Sequence, residues 1–128
     1  MRQGSSPLTN GGALLTAGDL SASFNTDAVN LISIYAYSIQ VTWGSGSSPV
    51  GTFKLQGSND PGDNGSGQGV SAPTNFTDIS SSSQAISGNS GSIMYDVTEC
   101  SYRWVRLVYT RASGNATVTA ANINVKGV

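Results

Sequence analysis

The chain has 128 residues and a formal net charge of −1, and only 10% of its residues are charged, against roughly 25% in an average soluble protein. Ser, Thr, Asn and Gly supply 58 of the positions, so a basic nucleic-acid face is excluded as a main function, because neutralising phosphates takes clustered Lys and Arg. There is no histidine and one cysteine, Cys100, which excludes a Ser-His-Asp or Cys-His triad, a His-ligated metal and an intrachain disulfide.

In chain order, residues 1–12 (MRQGSSPLTNGG) are polar and read as an N-terminal arm, with residues 13–128 forming a single domain. An arm of this composition orders only against something else. Residues 31–43 (LISIYAYSIQVTW) place Tyr35, Tyr37, Ile39, Val41 and Trp43 on one face and Ala36, Ser38, Gln40 and Thr42 on the other. That period of two predicts a strand with one buried face. Residues 44–49 (GSGSSP) read as a turn, and residues 51–58 alternate again with Phe53 and Leu55 inward and Lys54 and Gln56 outward. Together these segments predict a hairpin.

Residues 59–73 (NDPGDNGSGQGVSAP) have no periodicity and read as a surface excursion. Short strands follow around 75–79 and at 91–97, and then comes the second strong strand, residues 102–111 (YRWVRLVYTR). Val105, Leu107 and Tyr109 share its inner face. Trp104, Arg106 and Val108 share the other, a mixture expected of a strand covered on both sides or shielded by long side chains. Residues 112–115 (ASGN) read as a turn before a closing Thr/Val/Ile strand over 116–125. Short strands at about ten-residue spacing with Gly/Ser/Asn turns predict an all-β fold, a single antiparallel β-sandwich or jelly roll.

Few side chains suggest chemistry. Asn59, Asp60, Asp63 and Asn64 lie in a Gly-rich loop of the kind calcium uses, but the loop lacks D-x-D-x-D-G spacing and a distal Glu. Asx residues also make ordinary turns by bonding their own backbone, and that is the reading favoured here. Asp96 and Glu99 sit three residues apart at a strand end and read as a solubilised turn rather than a glycosidase pair. Cys100 has no basic neighbour before Arg103 and reads as a buried structural thiol. The aromatics Tyr35, Tyr37, Trp43, Tyr95, Tyr102, Trp104 and Tyr109 all fall in predicted strands, where core packing is their ordinary role; a sugar-stacking platform or a protein interface is the alternative. The Asn75-Phe76-Thr77 and Asn115-Ala116-Thr117 sequons carry weight only in a secreted chain.

No run of 18 apolar residues exists, and the first dozen residues are too polar for a secretory h-region, so a soluble product made in the cytoplasm is expected. The runs Phe53-Lys54-Leu55-Gln56-Gly57-Ser58-Asn59-Asp60, Asn75-Phe76-Thr77-Asp78-Ile79 and Tyr102-Arg103-Trp104-Val105-Arg106-Leu107 resemble the LQGSNDG…NWTDI…YRYVRL pattern of discoidin-like β-sandwiches. Over residues 51–127 the chain also resembles small β-sandwich virion proteins of bacteriophages. An insertion over residues 61–72 departs from the discoidin pattern, so no carbohydrate or lipid site is carried over.

The resemblance implies a non-enzymatic structural protein of a bacteriophage virion, a minor capsid, vertex or decoration subunit, assembled in the host cytoplasm through β-surface and arm contacts. Its partners would be other virion proteins and copies of itself, with no nucleic acid, membrane, metal or cofactor and no catalytic residue. The alternative is a carbohydrate- or receptor-binding module of a phage tail or fibre, with a host glycan as partner.

Overall fold

In a computed structural model of the chain, residues 2–15, 20–60 and 73–127 are described. They are all-β, with no α-helix among them. Two strands dominate: β6 (Ile34–Ser58, 25 residues) and β10 (Trp104–Gly127, 24 residues). They pair antiparallel along their whole length, from Ile34 opposite Gly127 to Ser58 opposite Trp104. The other sheet strands are short and flank this ribbon.

At one end β9 (Gly91–Val97) pairs with residues 37–43 of β6, and β1 (Arg2–Pro7) pairs with residues 122–127 of β10. The local order is therefore β9-β6-β10-β1. At the other end β7 (Thr77–Asp78) and β8 (Gln84–Ile86) pair with the second half of β6, while β4 (Phe24–Asn25) and β5 (Val29–Asn30) pair with the first half of β10. A separate two-stranded piece joins β2 (Thr9–Asn10) to β3 (Ala13–Leu14).

One face of the ribbon is apolar at each end, with a polar, mostly exposed middle at residues 44–48 and 110–115, and the sheet curls so that both ends share one core. Tyr37, Ile39, Val41, Trp43, Phe53 and Leu55 of β6 are buried in a single cluster with Val105, Leu107, Tyr109, Val118, Ala121 and Ile123 of β10. Burial of this side-chain area is the main favourable term for a fold with no disulfide. The expected parity therefore holds along both strong strands, except that Tyr35 is half-buried.

The two predicted turns are corrected by the structure. Residues 44–49 and 112–115 do not reverse the chain; they are the middles of β6 and β10 and lie opposite one another, with Ser47 paired to Asn115 and Val50 to Ser113. The register shifts repeatedly there, and Ser45, Ser48 and Gly114 have positive φ. Bulges call for the same small, left-handed residues as turns, and they bend strands rather than end them. Consequently the hairpin expected between residues 31–43 and 51–58 is absent: both segments are successive parts of one strand, and both pair with β10.

The N-terminal stretch is also corrected. Residues 2–7 form an edge strand of the sheet, and Leu8 behind them is 2% exposed within the core. A Gly/Ser strand is held by its backbone hydrogen bonds, which side-chain composition does not reveal. The calcium-like loop falls mainly at 61–72, outside the described residues.

Candidate functional site

On the outward side of the β9-β6-β10-β1 end, the central strand β6 carries two small side chains, Ala36 and Ser38. Its neighbours carry larger ones. Ser38 is flanked by Asp96 on β9 and Asn124 on β10, and Ala36 by Lys126 on β10. Small residues between taller walls leave a trough, which explains why Ala36 is only 9% exposed although it faces outward. The trough has a volume of about 280 Å³, and Tyr35 and Thr98 line its end. An acid, a base, an amide and a hydroxyl converge there, a set able to give and accept hydrogen bonds from a small polar ligand.

A second hollow of about 500 Å³ lies between residues 57–60 and 75–79, with Tyr102 in its wall. Its polar groups are engaged with one another. The Asp60 carboxylate accepts hydrogen bonds from the backbone N–H of Thr74 and of Asn75, both 2.8 Å, and from the Asn75 side-chain amide. These bonds hold its carboxyl below the usual carboxylate range. The carboxylate therefore ties residue 60 to residues 74 and 75 by long-range bonds rather than by a local turn. Asp78, whose carboxyl is also held low, accepts from Gln56 Nε2 at 2.8 Å and from Lys54 Nζ at 3.0 Å.

Asp60 and Phe76 cover part of the outer face of β10 that mixes Trp, Arg and Val. Trp104 Nε1 donates to the Asp60 carbonyl at 2.9 Å, and the Arg106 guanidinium stacks 3.6 Å from the centre of the Phe76 ring. Arg106 Nε also donates to Gln56 Oε1 at 2.9 Å. Cover on that side at Trp104 and Arg106, one of the two arrangements the sequence allowed, accounts for the burial of Trp104.

The remaining sequence candidates are placed as follows. Cys100 is half-buried, its Sγ lies 3.8 Å from the Ile34 carbonyl, and burial pushes its thiol pKa up. A raised pKa leaves less of the nucleophilic thiolate. Tyr37, Trp43, Tyr95, Trp104 and Tyr109 are buried, whereas Tyr35 and Tyr102 are half-buried. The Tyr37 and Tyr102 hydroxyls share a hydrogen bond of 2.6 Å, and Trp43 Nε1 donates to the Gly88 carbonyl at 3.1 Å. Asp96 lines the trough, and Glu99 is exposed outside it. No group of three His, Cys, Asp or Glu side chains gathers at one point among the described residues.

The trough and the open strand edges escaped the sequence reading. Ala36, Ser38, Asp96, Asn124 and Lys126 come from three distant segments, and only the register sets them side by side. Comparison of the chain with family models, with curated proteins and with solved structures finds no match.

Proposed function

We propose that the chain is a non-enzymatic structural protein that assembles through its sheet, as a subunit of a shell such as a bacteriophage virion. One observation carries this reading: the four-stranded end has two open edges. Among the described residues β1 pairs with β10 and no other strand, and β9 with β6 and no other strand. Open edges are templates for pairing with another chain, and proteins that stay monomeric blunt them with Lys, Pro or covering loops. The test is sedimentation velocity over a rising concentration series, read against the 13.1 kDa monomer. Assembly predicts larger species that grow with concentration. A monomer at every concentration that is also missing from purified particles defeats the reading.

The trough supports a second reading, a module that binds a saccharide. Ser38, Asp96, Asn124 and Lys126 offer the mixed donors and acceptors that sugar hydroxyls require. Titrating labelled protein with glucose, galactose, mannose and N-acetylglucosamine checks it. Saturable amide shifts confined to residues 36–38, 96–98 and 124–126 support this reading, and their absence rejects it.

A further inference from the structure

The hydrogen-bond phase of the sheet identifies which backbone groups the two open edges present. Leu8 N–H donates to the Ala121 carbonyl at 2.9 Å, continuing the β1–β10 register by one residue. In an antiparallel pair, residues alternately exchange hydrogen bonds and turn away. Ser6 and Gly4 therefore bond to β10, while Gln3, Ser5 and Pro7 point their backbone groups to the open side. The same alternation carried across β10 and β6 makes Tyr37, Ile39, Val41 and Trp43 bond to β9. Ser92, Met94 and Asp96 of β9 then face the other open side. An independent contact agrees: Gln84 Nε2 donates to the Met94 carbonyl at 3.1 Å, which requires that carbonyl to point away from β6.

The two edges are complementary in direction. Four antiparallel strands alternate in sense, so β1 and β9 run opposite ways. A second copy laid beside the first in the same orientation sets its β9 antiparallel to the first copy's β1. The sheet then continues without a reversal, and the apolar and polar faces stay in phase.

They are also complementary group by group. Ser5, Asn124, Ser38 and Asp96 form one row across the sheet, and Pro7, Asn122, Gln40 and Met94 form another. Continued level into a neighbour, these rows set Ser5 opposite Asp96 and Pro7 opposite Met94. Ser5 and Asp96 then exchange both backbone bonds, and Met94 N–H donates to the Pro7 carbonyl. Proline has no N–H to return, and the carbonyl left without that donor is the one Gln84 already fills. A slip that moves Ser5 opposite Met94 instead makes Ser5 N–H compete with Gln84. β1 carries one charge, at Arg2, and β9 one, at Asp96; Pro7 blunts the end of the β1 edge, and Gln3 and Ser5 keep both backbone groups turned outward.

We propose that the partner of these edges is a second copy of this chain, added head to tail with β1 against β9 in that register. The proposal rests on the assembly reading and specifies its contact. Repeated, a head-to-tail contact closes a ring or extends a filament.

The test is disulfide trapping between two variants, S5C and D96C, each also carrying C100S. Directly opposed, hydrogen-bonded residues have Cα atoms about 5.5 Å apart, within the span a disulfide bridges. Under mild oxidation, a mixture of the two chains should give the mixed dimer, and neither chain alone should dimerise. In parallel, S5P removes an N–H that the chain itself does not use, and it should weaken self-association at least tenfold with an unchanged circular-dichroism spectrum. Dimers from D96C alone at equal yield overturn the proposal in favour of a symmetric β9 contact. Self-association of the unmodified chain without the mixed disulfide, and indifferent to S5P, overturns this contact and leaves the assembly reading standing. A monomer with no mixed disulfide overturns this contact, and a chain that is also missing from purified particles overturns the assembly reading with it.

Discussion

Thr26 and Ser82 perform the same substitution on opposite sides of one row of the sheet. Leu107 and Leu55 are paired at its centre. Leu107 N–H donates to Thr26 Oγ1 at 2.9 Å, and its carbonyl accepts from Thr26 N–H at 2.8 Å. On the far side Leu55 N–H donates to Ser82 Oγ at 3.0 Å, and its carbonyl accepts from Ile79 N–H at 2.9 Å. Thr26 lies between the short strands β4 and β5, and Ser82 between β7 and β8, so each hydroxyl completes a ladder where the flanking strand is interrupted. Buried backbone groups have to be bonded somewhere, and here two side chains supply the partners.

Thr26→Val and Ser82→Ala each leave a buried N–H without its acceptor, and each should cost about 1–3 kcal/mol. The sites are three strand spacings apart, roughly 14 Å. The double variant should therefore lose the sum of the single losses to within about 0.5 kcal/mol. Urea denaturation of the four proteins measures this, and a larger interaction term would mean the two sides of the row are coupled.

The buried tyrosines should respond to loss of their hydroxyls in opposite directions. The Tyr95 and Tyr109 hydroxyls are buried and have no hydrogen-bond partner among the described residues, whereas the Tyr37 hydroxyl is bonded to Tyr102. Tyr95→Phe and Tyr109→Phe should leave stability unchanged or raise it by up to about 1 kcal/mol. Tyr37→Phe should lower it by about 1 kcal/mol, since the Tyr102 hydroxyl then loses its partner. Thermal melts of the three variants check the contrast.

Acid should weaken the clasp that Asp27 makes on the β2–β3 turn. Its carboxylate accepts from Gly12 N–H and Gly11 N–H, both at 2.9 Å, and from Thr9 Oγ1 at 2.8 Å. These bonds, led by Gly12, hold its pKa below the ordinary 3.8. A carboxyl held low in the folded state contributes stability in full above its unfolded pKa, and loses it as pH falls through the folded value. Asp27→Asn should accordingly melt lower than the parent at neutral pH, with the gap closing below about pH 4. Asp60 and Asp78 titrate in both proteins and cancel in the difference. A gap of constant size down to pH 2 would show that the charge is irrelevant.

Gly114→Ala should be costly for a Gly-to-Ala change. Gly114 has a φ of 68°, and a Cβ there would run into the backbone of Ser47 and Ser48 on the paired strand. Forcing a side chain into that kink should cost more than about 1 kcal/mol, the scale of the ordinary left-handed penalty. Gly12→Ala, also at positive φ but in open space, is the control and should cost less.

The alternating runs determined their own strands and faces. Ile39, Val41, Phe53, Leu55, Val105, Leu107 and Tyr109 are buried as their spacing predicts, because a period of two is a local property of the chain. Residues 91–97 likewise form a strand with the bounds read from the sequence. Beyond that, tertiary structure decided. Ser45, Ser48 and Gly114 suit a turn or a bulge equally well, and only the pairing of β6 with β10 made them bulges. Residues 2–7 have no apolar pattern at all and became a strand because β10 had an edge to offer. The trough and the two open edges depend on register between segments dozens of residues apart. Side-chain period is written along the chain, whereas register and hydrogen-bond phase exist only once strands meet.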